Sequence, residues 1–136
     1  MMRILYVCVH NAGRSQMAEA ITNHLARARG ADVVAASAGT VGGKELNPMA
    51  VVALAEIGIS VDGLVPKLLT QEMADGADRI ISMGCGVDAE ACPARFILTE
   101  DWELDDPAGR PLEEVRVIRD AIVRKVEALL AERATR

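Results

Sequence analysis

The chain has 136 residues, a formal net charge of −5 and three cysteines, and its hydrophobic half is almost all Ala, Val, Ile, Leu and Met broken up by charges. That length suits one hydrophobic core, so a single domain over residues 1–136 is expected. No stretch approaches the roughly 20 apolar residues of a membrane span, the first residues do not read as a signal peptide, and Lys and Arg are not clustered as nucleic-acid binding requires; a cytoplasmic protein without membrane or nucleic-acid partners is expected.

Arg3 to Val9 reads as a buried strand, a short β-branched and apolar run that ends in a polar, Gly-containing loop. Ser15 to Arg29 reads as a helix with Met17, Ile21, Leu25 and Ala28 on its apolar face, stopped by Gly30 where a C-cap glycine belongs. Asp32 to Ala38 reads as a second strand, which completes a βαβ unit. The segment Gly39 to Glu45 carries three glycines and is a loop, after which Asn47-Pro48 supplies an N-cap and a first-turn proline for a helix to about Gly58. A short helix opens at Thr70, Asp78 to Met83 is a third buried strand, and Phe96 to Thr99 is a candidate fourth. The last helix runs from about Pro111 to Arg133, with Val115, Ile118, Ile122, Val126 and Leu129 on one face. Helices alternating with buried strands predict an α/β three-layer sandwich around a central four-stranded parallel sheet. Ligands of such sheets bind beyond the C-terminal strand ends, where Cys8 and Cys85 fall.

An odd number of cysteines does not read as a disulfide framework, and Cys85 and Cys92, with six residues between them, find no matching His pair for zinc in His10 and His24. The loop Cys8-Val9-His10-Asn11-Ala12-Gly13-Arg14-Ser15 lies between a strand and a helix. Such a loop aims successive N–H groups and the helix dipole at one point, forming an anion cradle. Ala12 and Gly13 allow close approach, and Arg14 offers a planar fork to two oxyanion oxygens. The same positive field favours the Cys8 thiolate, to which Ser15 can donate a hydrogen bond. The bland alternative is a small buried cysteine at a strand end. His10 is expected at the loop surface, and His24 inside a helix without a chemical role.

The run C-V-H-N-A-G-R-S-Q-M-A-E resembles the nucleophile loop of arsenate reductases built on the low-molecular-weight tyrosine phosphatase fold. Ser37-Ala38-Gly39, Asn47-Pro48, Met83-Gly84-Cys85, Asp101-Trp102 and Asp106-Pro107 follow in that family's order. Cys85 and Cys92 resemble the redox pair of its thioredoxin-coupled members. The resemblance implies reduction of arsenate to arsenite, as in arsenic detoxification, with phosphate or sulfate as competing oxyanions and thioredoxin as reductant. It further implies a relay in which Cys8 attacks arsenic, Asp106 protonates the leaving oxygen, Cys85 attacks Cys8, and Cys92 then attacks Cys85. No tightly bound cofactor is implied, although Asn11, Glu19 and Ser37 match positions where some relatives hold potassium. Two alternatives remain: a low-molecular-weight tyrosine phosphatase, for which three aromatic residues are few and Gly13 stands where a second cysteine is usual, and recycling by mycothiol or glutaredoxin-type thiols. Trp102 is expected to pack beneath the Asp106 loop.

Overall fold

In the computed structural model, which describes residues 1–41, 43, 45–84 and 100–134, the first strand lies inside the sheet rather than at its edge. Strand β1 (Met2–Cys8) pairs in parallel with β2 (Val33–Gly39) on one side and with β3 (Arg79–Ser82) on the other; β3 pairs in turn with β4 (Glu100–Asp101). The order β2-β1-β3-β4 reverses direction at β1. A crevice therefore opens between the C-terminal ends of β1 and β3, the place where open parallel sheets bind ligands.

Alternation along β1 sends Ile4, Tyr6 and Cys8 to one face and Leu5 and Val7 to the other, and all five are buried. The first face packs on α1 (Arg14–Arg29), α2 (Pro48–Glu56) and α4 (Leu112–Ala134), and the second on Leu69, Ile80 and Ala74 of the one-turn helix α3 (Gln71–Asp75). The expected three layers follow from a strand that is apolar on both faces. On α4 the five predicted residues Val115, Ile118, Ile122, Val126 and Leu129 are all buried, each side chain contributing about 1.5–3 kcal/mol by leaving water.

The caps stand where the sequence placed them. Gly30 adopts φ 62° and donates its N–H to the last turn of α1. The Asn47 side chain accepts from the N–H groups of Met49 and Ala50 ahead of α2, and Thr70 accepts from Met73 N ahead of α3. Helix α2 stops at Glu56, two residues before the expected Gly58. One expectation on α1 fails: Ala28 is exposed, and the buried stripe runs through Ala18, Thr22 and Ala26. Thr22 can lie inside because its hydroxyl meets Tyr6 Oη at 2.8 Å, a partner that apolar periodicity does not reveal. The candidate strand Phe96–Thr99 lies outside the described residues, and the fourth strand found is Glu100–Asp101. Among the described residues no helix is long and apolar enough to cross a membrane.

Candidate functional site

Cys8 ends β1, and residues 9–13 wrap from it into the first turn of α1. The wrap needs one left-handed residue, which is Asn11 at φ 55°, a conformation that asparagine tolerates better than most side chains. Asn11 is fully buried and every polar group of its amide is used. Its Oδ1 accepts from Lys67 N at 2.8 Å and Gln16 Nε2 at 2.9 Å, while its Nδ2 donates to Ser15 Oγ at 2.8 Å. The backbone N–H of Lys67 can only donate, so it fixes the orientation of the Asn11 amide and thereby the direction of the Ser15 hydroxyl. Ser15 Oγ, already accepting from Asn11, lies 2.8 Å from Cys8 Sγ in a hydrogen bond either atom can donate, and Asn11 N donates to the same sulfur at 3.2 Å. Two hydrogen bonds thus fix the position of Sγ at the mouth of the loop.

The loop is pinned from outside as well. Thr40 N donates to Cys8 O, Val41 N to Val9 O and Asn47 N to Ala12 O. Gly39 meets the loop so closely that a β-carbon there would lie 2.5 Å from Val9 O. The glycine at the end of β2 is thus a condition of the loop's position.

Arg14 opens α1 and is 8% exposed. Its Nη1 donates to Met83 O at 3.0 Å and to Leu104 O at 2.8 Å. These bonds use both hydrogens of Nη1 and leave the Nε–Nη2 edge, the bidentate edge for an oxyanion. Asp106 Oδ2 stands 3.8 Å from Arg14 Nη2, with the Asp106 side chain 64% exposed. Asp106 Oδ1 accepts from Ala108 N at 3.0 Å, and buried Pro107 abuts Gly13, where a β-carbon would lie 2.6 Å from Pro107 Cγ. Cys8, Gly13, Arg14, Asp106 and Pro107 line one open cleft of about 470 Å³, with exposed His10 at its lip. Asp105 lines it too, but Asp106 is the carboxylate that pairs with Arg14.

Of the predicted residues the structure brings Cys8, Val9, His10, Ala12, Gly13, Arg14 and Asp106 to this cleft, with Asn11 and Ser15 directly beneath it. Cys85 and Cys92 lie outside the described residues. Glu19 and Ser37 meet behind the loop, where Ser37 Oγ donates to Glu19 Oε1 at 2.7 Å. The same oxygen pairs with Lys67 Nζ at 3.4 Å, and Asn11 Oδ1 already accepts twice. This donor set does not fit a potassium ion, because the positive charge beside Glu19 comes from within the chain. Trp102 is buried in the core, with its ring 5.2 Å from that of Tyr6 and its Nε1 donating to Glu100 Oε2.

Sequence reading missed Gln16, Lys67 and the carbonyls that hold Arg14. Asp101, which the sequence offers only as part of the Asp101-Trp102 motif with no role attached, has a carboxyl below the usual carboxylate range. Burial opposes that shift but is outweighed by hydrogen bonds from Glu103 N–H, Ser82 and Gly84 N–H and by the charge of Arg14.

Residues 3–135 match the family described as low molecular weight phosphotyrosine protein phosphatase. A glutaredoxin arsenate reductase from Synechocystis is 33% identical over 133 residues, spanning 97% of this chain and 98% of that protein. A solved structure described as an arsenate reductase in the phosphate binding state superposes with a TM-score of 0.79 at 33% identity, covering 98% of this chain and 99% of that one. A thioredoxin-dependent arsenate reductase from Corynebacterium glutamicum superposes at 0.79 and 33% identity, over 99% of this chain and 63% of its own.

Proposed function

Because the chain belongs to the low molecular weight phosphotyrosine protein phosphatase family, we propose that it is a single-domain enzyme that reduces arsenate to arsenite. The observation that carries this reading is the cleft in which a doubly hydrogen-bonded Cys8 sulfur, the Arg14 fork and the Asp106 carboxyl face one space. Arsenate fills the cradle, its oxygens taken by backbone N–H groups of residues 9–14 and by the free edge of Arg14. Cys8 attacks arsenic while Asp106 gives a proton to the departing oxygen, which leaves as water.

The family's phosphatase members share this first half. What favours reduction is the pair Cys85 and Cys92, together with relatives named as arsenate reductases. The Cys85 thiolate attacks Cys8 Sγ. The electron pair of the S–As bond passes to arsenic, arsenite leaves, and a Cys8–Cys85 disulfide remains. Cys92 then attacks Cys85 and frees Cys8, and an external dithiol reduces the Cys85–Cys92 disulfide. We assign that dithiol to thioredoxin, in line with the Corynebacterium relative; the name of the Synechocystis relative supports a second reading with glutaredoxin.

The test is arsenate-dependent NADPH oxidation, run once with thioredoxin and its reductase and once with glutathione, glutaredoxin and glutathione reductase. Turnover with the first set alone is expected, lost in Cys85→Ser and Cys92→Ser. Full multiple turnover in both variants would sink the relay. Hydrolysis of a phosphotyrosine peptide far faster than arsenate reduction would return the chain to the phosphatases.

A further inference from the structure

We infer that Asp101 is a positioning residue for the oxyanion site, acting through the main chain that holds Arg14; the inference rests on the reading of the cleft as an anion site. A single carboxylate oxygen of Asp101, Oδ1, accepts from Ser82 Oγ at 2.9 Å, Gly84 N at 2.6 Å and Glu103 N at 3.3 Å. Those donors come from both strands whose ends carry the Arg14 acceptors. Met83, between Ser82 and Gly84, and Leu104, next to Glu103, supply the two carbonyls that take Nη1.

The clip operates where the backbone resists its own conformation. Glu103 sits at φ 49° and Gly84 at φ 81°, and a β-carbon on Gly84 would lie 2.8 Å from both Glu103 Cα and Leu104 N. A non-glycine residue in the left-handed region persists only where its surroundings hold it, and the bond from Glu103 N to the Asp101 side chain two residues back is the Asx-type turn that does so. Leu104 N also donates to Met83 O at 3.2 Å, and Trp102 N to Ser82 O at 2.9 Å. The two chain ends are therefore one rigid acceptor pair, and the Asp101 carboxylate bonds to both through their donors, where Arg14 bonds to both through their carbonyls. Asp101 does not line the cleft. Its effect on a bound anion passes through the direction of the Arg14 guanidinium, which must be set before the anion arrives.

Phosphate protection of Cys8 against iodoacetamide, followed on the Cys8 peptide by mass spectrometry, reads the anion site without turnover. With Asp101→Ala the phosphate concentration giving half protection should rise about tenfold, the scale of losing a charge-assisted hydrogen bond that orders a binding group. In arsenate turnover KM should rise by a similar factor and kcat by much less. Asp101→Asn keeps an oxygen at the same place and should restore most of the affinity, whereas a role in overall stability alone would lower the melting temperature and leave half protection unmoved. An alanine variant that is protected as well as the unaltered chain, or an asparagine variant as weak as alanine, overturns the inference. Should Asp101→Ala fail to fold, Ser82→Ala removes one strand of the clip and should raise half protection two- to threefold, roughly the value of one ordinary hydrogen bond; no change overturns the inference. If phosphate does not protect the unaltered chain and Arg14→Lys behaves identically to it, the anion-site reading itself fails.

Discussion

The two loops that meet at the cleft are built to opposite plans. Around Cys8, Asn11 and Ser15 are fully buried and bonded to one another, to Gln16 and to Lys67, and backbone bonds from residues 40, 41 and 47 clamp the loop from outside. The Asp106 loop leaves its carboxyl in solvent, with one local bond to Ala108 N and a 3.8 Å approach to Arg14. On the proposed reading, the Cys8 sulfur and the groups around it are thus in place before a substrate arrives, while the Asp106 carboxyl is free to adjust its reach. Pro107, wedged on Gly13, and Arg14, which reaches Leu104 O and Asp106, link the two.

If that contrast is right, substitutions in the first loop cost stability or all chemistry, and those in the second cost rate alone. The largest effect belongs to Cys8→Ser, expected to lower arsenate turnover by about 10⁴-fold or more while the fold and phosphate binding persist; residual turnover near the original rate would move the nucleophile elsewhere. Asn11→Ala should lower the unfolding free energy by about 3 kcal/mol, because it removes three side-chain hydrogen bonds, leaves Lys67 N without its acceptor and places alanine at a positive φ. Urea denaturation measures this, and a loss below about 0.5 kcal/mol, the size of an ordinary surface substitution, would break the comparison. Asp106→Asn should cost about 10²-fold in kcat with an unchanged urea midpoint. A destabilised Asp106 variant would mean that the acid loop is as tightly built as its neighbour.

How far each loop could be read in advance follows from the same contrast. Cys8, Gly13 and Arg14 are contiguous and bracketed by a strand and a helix, so residue types alone announced an anion cradle. The parts that hold the cradle do not carry such signals. Met83 O and Leu104 O are main-chain atoms, 69 and 90 residues from Arg14, and a carbonyl looks alike at every position. Lys67 acts through its own N–H as much as its side chain. Gly39 did leave a signal, a glycine closing a strand, but only the approach of Val9 O explains it. The sheet was legible because buried parallel strands are continuous apolar runs. The stripe on α1 was legible in Met17, Ile21 and Leu25 but not at Thr22, which hides a hydroxyl in it.

The smallest effect tests whether the two loops respond separately to acid. Asp101 stands at the base of the Asp106 loop with its carboxyl held below the ordinary carboxylate value. A folded value below the unfolded one, about 3.9, means that the bonds of Asp101 favour the fold at higher pH and are lost as pH falls through the lower folded value. Below that point the Gly84 amide loses its acceptor, and its proton resonance should move upfield along a single titration curve that Asp101→Asn abolishes. Arg14 is the charged neighbour that shapes the curve, beside the hydrogen bonds from Glu103 N, Ser82 and Gly84 N. The amide of Lys67 is bonded to Asn11 Oδ1, a carboxamide oxygen that carries no titrating proton, so it should stay still over the same range. If the Lys67 amide shifts with the same midpoint as Gly84, the loops are one unit, and the freedom assigned to Asp106 is lost with the contrast.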